Sequence, residues 1–284
     1  MTNKIIAFVD GSIYSESVCH HVAWAAGRMG AEVELYHILG RREGADKGDY
    51  SGSIRLGART RLLEELAELD AQRAKLSQAQ GRAILEDAKA IIEGDGVTGV
   101  SPRLRHGDIV ETVQEVEAGA GLVVIGKRGE AADFAKMHLG SNLERMIRAA
   151  HTPVLVASRA FKPVKKVLIA FDGGVSSLKA VDYVARQPLF EGLNCTLVTV
   201  GKGGDAIRQG LEDARATLKA GGHDASIKMA EGQPDKVLGE LIETEGHDLL
   251  VMGAYGHSRI RNMIIGSTTT EMIRTCKAPV VLIK

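Results

Sequence analysis

One pattern of residues occurs twice along this chain, and few folds can be built that way. The first copy opens with Lys4-Ile-Ile-Ala-Phe-Val-Asp10-Gly11-Ser12 and the second with Lys166-Val-Leu-Ile-Ala-Phe-Asp172-Gly173-Gly174. Each opening is an apolar run that stops at Asp-Gly, the composition of a buried strand followed by a turn. Each is followed by a helix-like stretch, Ser15 to Met29 and Ser176 to Arg186, and then by a second strand, Glu32 to Ile38 and Cys195 to Val200. The closing parts match as well. Gly121-Leu-Val-Val-Ile-Gly126-Lys-Arg-Gly129 mirrors Leu249-Leu-Val-Met-Gly253-Ala-Tyr-Gly256. Leu139-Gly140-Ser141 mirrors Ile265-Gly266-Ser267, and Thr152-Pro153-Val-Leu-Val156 mirrors Ala278-Pro279-Val-Val-Leu282. A repeat this long points to duplicated domains, because solenoid repeats run about 20–50 residues. A length of 284 residues suits about two domains.

Between the ends, each half carries a strand, a turn and an amphipathic helix: Arg103 to Gly107 then Ile109 to Ala118, and Ile227 to Gly232 then Pro234 to Glu245. Pro234 near a helix start costs little, since the missing N–H would have no partner there. Each half therefore reads β-α-β-α-β-α-β-α-β. That alternation predicts an α/β fold of two tandem doubly wound domains, each a five-stranded, mostly parallel sheet with helices on both faces. The boundaries are 1–159 and 164–284.

The halves differ in one place. Asp172 stands 162 positions after Asp10 but Gly253 only 127 after Gly126, so the first half holds 35 residues more between its second strand and its glycine loop. This insertion lies at about 41–93. Arg41 to Ser53 is polar and glycine-rich and reads as a loop; Arg61 to Glu93 has no proline and one glycine, Gly81. Leu62, Leu66, Leu69, Arg73, Leu76, Gln80, Ala83 and Ile84 recur at steps of three and four, one apolar stripe on a helix. Such a helix would extend about 50 Å and overhang its domain. A break near Gly81 is therefore expected, with either a hairpin packed on its own domain or a partner-binding arm as the outcome. The counterpart in the second half is Ala206 to Ala220.

Charge and composition exclude several functions. Lys plus Arg and Asp plus Glu both number 36, so nothing global argues for nucleic acid or an anionic membrane. No apolar run approaches the roughly 20 residues that span a bilayer, and the start lacks a signal-peptide pattern. Cys19, Cys195 and Cys276 are far apart and form neither a disulfide framework nor a zinc motif, which suits a reducing cytoplasm and buried apolar roles. The nine histidines are scattered, and His20-His21 falls on a predicted helix with a surface or core role. No catalytic constellation and no metal site can be argued. A Walker A loop is absent, as are the His-x-Gly-His and Lys-Met-Ser-Lys-Ser signatures of class I synthetases. Asp172-Gly-Gly-Val-Ser-Ser177 lacks the first serine and the aspartate of an ATP pyrophosphatase loop.

One stretch carries chemistry. The strand Leu249 to Met252 turns on Gly253 and Gly256, passes nine residues, and meets Gly266-Ser267-Thr268 ahead of the helix-like Thr269 to Arg274. Glycine lets backbone approach an anion closely, and a helix N-terminus offers free N–H groups and a positive dipole end. Two readings stand: a phosphate cradle, or a plain strand–turn–helix connection with Ser267 as an ordinary N-cap. In open α/β sheets ligands bind beyond the carboxyl ends of the strands, where both Asp172 and Gly253 fall.

At this point the residues resemble the universal stress protein family in its tandem form, whose fold is Rossmann-like and related to the adenine nucleotide alpha hydrolases. The family's motif Gly-x2-Gly-x9-Gly-(Ser/Thr) reads here Gly253-Ala-Tyr-Gly256, nine residues, Gly266-Ser267. The upstream Asp-Gly and the closing Pro-Val-Val-Leu-Ile strand agree with it, and the likeness covers nearly the whole chain. The resemblance implies that ATP, or the AMP or ADP left after turnover, binds in the second domain, with Mg carried on the phosphates. By matched position Asp172 would sit near the ribose, while Ala170 and Val200 line the adenine slot. Met252, Gly253 and Gly256 would wrap the ribose and phosphates, which Gly266, Ser267 and Thr268 hold. His257, Arg259 and Arg261 add charge-assisted bonds or stay solvated. In the first domain Asp10, Gly126, Gly129, Gly140 and Ser141 remain. There ten residues separate Gly129 from Gly140, Asn142 replaces the threonine, and Glu130 and Asp133 oppose a triphosphate. That second site is expected to be weak, empty or used otherwise. The resemblance also implies edge-to-edge pairing of the two domains through Val154 to Val156 and Val280 to Leu282, and leaves a homodimer of whole chains open. The reading is a stress-response protein that binds ATP as a regulatory ligand, with slow or no hydrolysis. Its rivals are a slow ATPase and a nucleotide-free interaction module that acts through the helical insertion.

Overall fold

The computed structural model describes residues 4–40, 56–127, 141–202, 204–255 and 265–284; for residues 56–61, 141 and 142 it describes the backbone alone. The first half contains β1 (Lys4–Phe8), α1 (Ser15–Met29), β2 (Glu32–Gly40), α2 (Leu56–Gly94), β3 (Val100–Gly107), α3 (Ile109–Val116), β4 (Ala120–Gly126), α4 (Ser141–Ala149) and β5 (Val154–Ala157). The second contains β6 (Lys166–Ala170), α5 (Val175–Arg186), β7 (Asn194–Val200), α6 (Asp205–Ala220), β8 (Ala225–Ala230), α7 (Pro234–Thr244), β9 (Leu249–Gly253), α8 (Ser267–Thr275) and β10 (Val280–Ile283). The alternation of strand and helix is the one the residue pattern predicts, and the class is α/β.

The ten strands form one sheet in the order β3-β2-β1-β4-β5-β10-β9-β6-β7-β8. All neighbours are parallel except at the middle, where Val156, Leu155 and Val154 of β5 pair antiparallel with Val280, Val281 and Leu282 of β10. The antiparallel seam turns one half against the other, so the carboxyl ends of β1 and β4 point opposite to those of β6 and β9.

Successive strand residues face opposite sides of the sheet, so buried strands feed two cores. Ile5, Ala7, Val33 and Leu35 join α1, α2, α5 and α6 on one face. Ile6, Phe8, Val123 and Ile125 join α3, α4, α7 and α8 on the other. Both faces are covered, which is why the strands read as continuous apolar runs. Pro102 lies inside β3, where a ladder N–H would normally stand; β3 is an edge strand, the position that tolerates proline.

The insertion departs from expectation. Residues 41–53 lie outside the described residues, and α2 runs unbroken from Leu56 to Gly94 with no break at Gly81. Gly81 serves a different purpose. A Cβ there would lie 2.7 Å from Leu104 Cδ1 and 2.9 Å from His37 Cδ2, so the missing side chain lets the helix lie flat on β2 and β3. The face that packs on the body is Gly81, Leu85, Ala88 and Ile92, with Ile84 and Ile91 partly buried beside them. The stripe of Leu62, Leu66, Leu69 and Leu76 is exposed. A hairpin packed on its own domain is excluded: α2 is one continuous helix of 39 residues, about 58 Å at 1.5 Å each, whose inner end packs on the body.

The connection between the halves is anchored by α1. Ser17 Oγ donates to Ser158 O at 2.8 Å, and the His21 ring meets Phe161 edge-on at a centroid distance of 5.0 Å. His21 is fully buried, and its Nδ1 donates to Ser17 O at 2.6 Å, which fixes the neutral tautomer. Burial pulls its pKa down to about 4, and the Ser17 bond only partly offsets this. Between pH 6.5 and 4 the unfolded chain takes up a proton that the folded chain refuses, so stability falls as pH falls. We expect His21 to remove about 2 kcal/mol of stability between pH 7 and pH 5. Urea denaturation at the two pH values tests this: His21→Leu should flatten the dependence by that amount, and an unchanged dependence would contradict it.

Candidate functional site

Three remote segments of the second half converge at the carboxyl edge of the sheet. β6 lies between β9 and β7, so Ala170, Gly253 and Val200 end adjacent strands. After β6 the backbone turns at Gly173 with φ +76°, a left-handed conformation that glycine adopts without strain. The Gly174 N–H donates to Asp172 Oδ1 at 2.8 Å, which closes the turn and places the exposed Asp172 on its rim. α5 then begins at Val175 with Gly174 as its N-cap and no side-chain cap.

The glycine loop is tied to this turn. Ser176 Oγ donates to Tyr255 O at 2.9 Å, which joins the start of α5 to the segment after β9. Gly266 N–H donates to Ala254 O at 3.3 Å, and Thr269 Oγ1 donates to Gly253 O at 3.3 Å, so the start of α8 is held against the same segment. The described members of the predicted set, Ala170, Asp172, Val200, Met252, Gly253, Gly266, Ser267 and Thr268, therefore lie on one edge of the second half. Gly256, His257, Arg259 and Arg261 lie outside the described residues.

The structure adds detail at two residues of the predicted set. Ser267 is not an N-cap. Gly266 holds that position with φ −56° and ψ 143°, α8 begins at Ser267, and among the described residues no side chain caps the helix. A helix start leaves four N–H groups without an intrahelical partner, and here none receives a side-chain cap bond from the N-cap residue, a glycine. Gly253 is required by packing. A Cβ there would sit 2.6 Å from Ser176 Cβ and 3.1 Å from Ser176 C and Ser177 N, so only glycine lets α5 press this closely on the end of β9. Met252 is buried in the core below and presents little to a ligand. Sequence reasoning missed Ser176 and Tyr255, whose contact links the two loops; no local motif marks it.

Charge at this edge comes partly from the far end of the chain. Lys284 Nζ lies 5.8 Å from the Tyr255 ring centroid and donates to Arg148 O near the end of α4. Burial pulls its pKa below the ordinary lysine value, with Glu117 working against the shift. Burial raises the Tyr255 phenol, with Arg148 opposing.

The first half builds the same turn but covers it. Gly11 has φ +78°, and a Cβ there would meet Ile84 Cδ1 at 2.5 Å, so the inserted α2 lies directly over the Asp10–Gly11 turn. At Gly173 no described residue lies within 4 Å of the same position. Asp10 Oδ1 accepts bonds from Ser12 N at 3.0 Å and Ser15 Oγ at 3.1 Å. Gly126 ends β4 and Ser141 starts α4, while Gly129, Gly140, Glu130 and Asp133 lie outside the described residues.

The model of the universal stress protein family matches residues 1–158 and 201–284. The chain belongs to the universal stress protein family. The likeness extends to whole proteins: the universal stress protein Slr1230 of Synechocystis is 33% identical over 282 residues, 98% of each chain. The universal stress protein Rv1996 of Mycobacterium tuberculosis is 23% identical and spans 72% of this chain and 73% of its own. In fold the chain is similar to a universal stress protein of Archaeoglobus fulgidus, with a TM-score of 0.73 and 21% identity over 100% of this chain and 99% of the other. The family match skips residues 159–200, so the turn at Asp172 is assigned by the structure and not by the family model. Among the described residues no helix is long and apolar enough to cross a membrane. Cys19, Cys195 and Cys276 are free and buried, and burial raises the thiol of Cys19 to about 12 and of Cys195 to about 11.

The contact at Gly253 makes a direct prediction. Gly253→Ala should destabilise the protein by about 1–3 kcal/mol, the usual cost of overpacking. Urea denaturation measures it, and a neutral substitution would contradict the contact.

Proposed function

We propose that this protein binds an adenine nucleotide, ATP foremost, at the carboxyl edge of its second half, as a regulatory ligand that it turns over slowly or not at all. The observation that carries the reading is the start of α8 at Gly266–Thr268, which no described side chain caps, held by hydrogen bonds to Gly253 and Ala254 and set beside the Gly173 turn, over which no described residue stands. Free N–H groups at a helix start and a dipole end suit phosphates without a lysine. The end of β6 at Ala170 and the end of β7 at Val200 supply partly buried apolar surface for a base, and Asp172 supplies an acceptor for ribose hydroxyls. Mg accompanies the phosphates.

The same comparison sets the first half apart. Ile84 over Gly11 narrows the place that a base and ribose would take, so this half binds nucleotide weakly or takes another ligand. Pairing through β5 and β10 gives one two-domain unit that acts in the cytoplasm.

Titration calorimetry with Mg-ATP tests the reading. Asp172→Ala should weaken binding by about tenfold or more, the worth of a hydrogen bond to a charged group, while Asp10→Ala leaves it nearly unchanged. Gly266→Val should abolish binding in a folded protein, because φ −56° is open to valine and its side chain would stand where we place the phosphates. A reversed order of the two aspartates would move the site to the first half. Unchanged affinity in a folded Gly266→Val protein would refute the cradle.

A further inference from the structure

A cleft opens where the two halves meet, on the edge of the sheet opposite the Asp172 turn. Because β5 and β10 run antiparallel, the carboxyl end of β5 at Ala157 lies beside the amino end of β10 at Pro279. Around them the ends of α7 and α8 and the connection between the halves enclose about 570 Å³. Small-ligand sites run about 300–1,000 Å³. Residues of both halves line this space, so neither half builds it alone.

Buried nitrogens without partners converge here. Among the described residues, four buried side-chain nitrogens have no hydrogen-bond partner: His21 Nε2, His247 Nδ1, His247 Nε2 and Arg274 Nε. The last three belong to two side chains that line the cleft. Arg274 Nη2 donates to Glu271 Oε1 at 2.7 Å, while its Nε–H has no acceptor among the described residues. His247 is 7% exposed, and its Nε2 stands 3.5 Å from Glu245 Oε2 without a hydrogen bond. Burial lowers the His247 pKa, with Glu245 opposing, so the ring is neutral and offers one donor and one acceptor. Buried polar groups are costly when unpaired, and each one calls for a partner.

The charge of the walls selects that partner. Lys127, Arg159, Lys162, Arg274 and Lys277 line the cleft against two carboxylates, Glu243 and Asp248. Both carboxylates are engaged. Glu243 Oε2 accepts from Lys277 Nζ at 2.9 Å, and Asp248 Oδ2 accepts from the N–H groups of Lys165 and Lys166. Lys127 Nζ donates to Cys276 O and so offsets the negative dipole end of α8. Ile242, Ala278 and Pro279 supply apolar surface between the polar groups. We propose that this cleft binds a small organic anion with an apolar body, its carboxylate or phosphate head accepting from Arg274 Nε and a further polar group meeting His247. This site goes beyond the nucleotide reading and lies on the other edge of the second half.

Titration calorimetry with 4-hydroxybenzoate and with 4-hydroxyphenyl phosphate, probes that differ in the anionic head, is the test. At least one should bind with a dissociation constant below about 1 mM. The tighter of the two shows whether the site takes a carboxylate or a phosphate. Arg274→Lys keeps the charge and a helix-forming side chain but removes the Nε–H, and should weaken binding about tenfold or more. His247→Leu should weaken it too. It should also raise the midpoint of thermal unfolding, because an apolar side chain replaces an unpaired buried ring. Affinity for Mg-ATP should stay the same in both variants, and Gly266→Val protein should still bind the probes. No binding of either probe at about 10 mM, ten times the expected constant, would overturn the proposal. So would unchanged affinity in folded Arg274→Lys protein, earlier melting of His247→Leu protein, or loss of probe binding in Gly266→Val protein. Probes and Mg-ATP are read separately, so this site and the nucleotide site fail separately.

Discussion

Parallel pairing of β7, β6 and β9 is the constraint on which the second half depends. Parallel strands end on the same edge, and each must be followed by a crossover that returns the chain to the opposite edge. Residues far apart in sequence, Asp172, Val200 and Gly253, are thereby delivered to one line without any contact between their own segments having to arrange it. What remains is to bring the two flanking helices close, and that depends on small residues. Gly253 admits α5, and hydroxyls of Ser176 and Thr269 fasten the loops to each other. The result is a helix start without a side-chain cap, held on a rigid frame.

The antiparallel seam at β5 and β10 then fixes how the two halves face. Each half's carboxyl edge lies beside the helix ends of the other. Lys127 Nζ donates to Cys276 O just beyond α8, and Lys284 Nζ donates to Arg148 O near the end of α4. A cation at a helix C-terminus opposes the negative end of the dipole, so these contacts are favourable as well as topological. Two similar halves are thus joined so that each completes part of the other's surroundings. They diverge at one insertion, which covers the Asp10–Gly11 turn and leaves its equivalent at Asp172–Gly173 open.

Much of this was legible in the residues. Apolar runs that end in Asp-Gly or Gly-x2-Gly marked the strands, and the duplicated order of elements marked the class, because strand burial and turn chemistry are local signals. Proline placed the start of α7 for the same reason. Long-range contacts were not legible. Gly81 looked like a helix breaker, yet its conformation is helical and its use is to meet Leu104 and His37, both remote in sequence. Gly253 was read only as a nucleotide contact, and its close approach to Ser176, remote in sequence, could not be foreseen. Ser267 looked like a cap and proved to be the first helical residue. The stripe of α2 was read as one amphipathic face; the structure packs its inner end at Ile84, beside Leu85, Ala88 and Ile92, and leaves Leu62, Leu66, Leu69 and Leu76 exposed.

The most direct measurement is denaturing extraction of freshly purified protein, with mass spectrometry and the ratio of nucleotide to chain. The account predicts adenine nucleotide at about one per chain, since a chain carries few well-formed ligand sites and, among the described residues, Ile84 covers the Gly11 turn while none stands over Gly173. No bound nucleotide, together with no thermal shift on adding Mg-ATP, would contradict it.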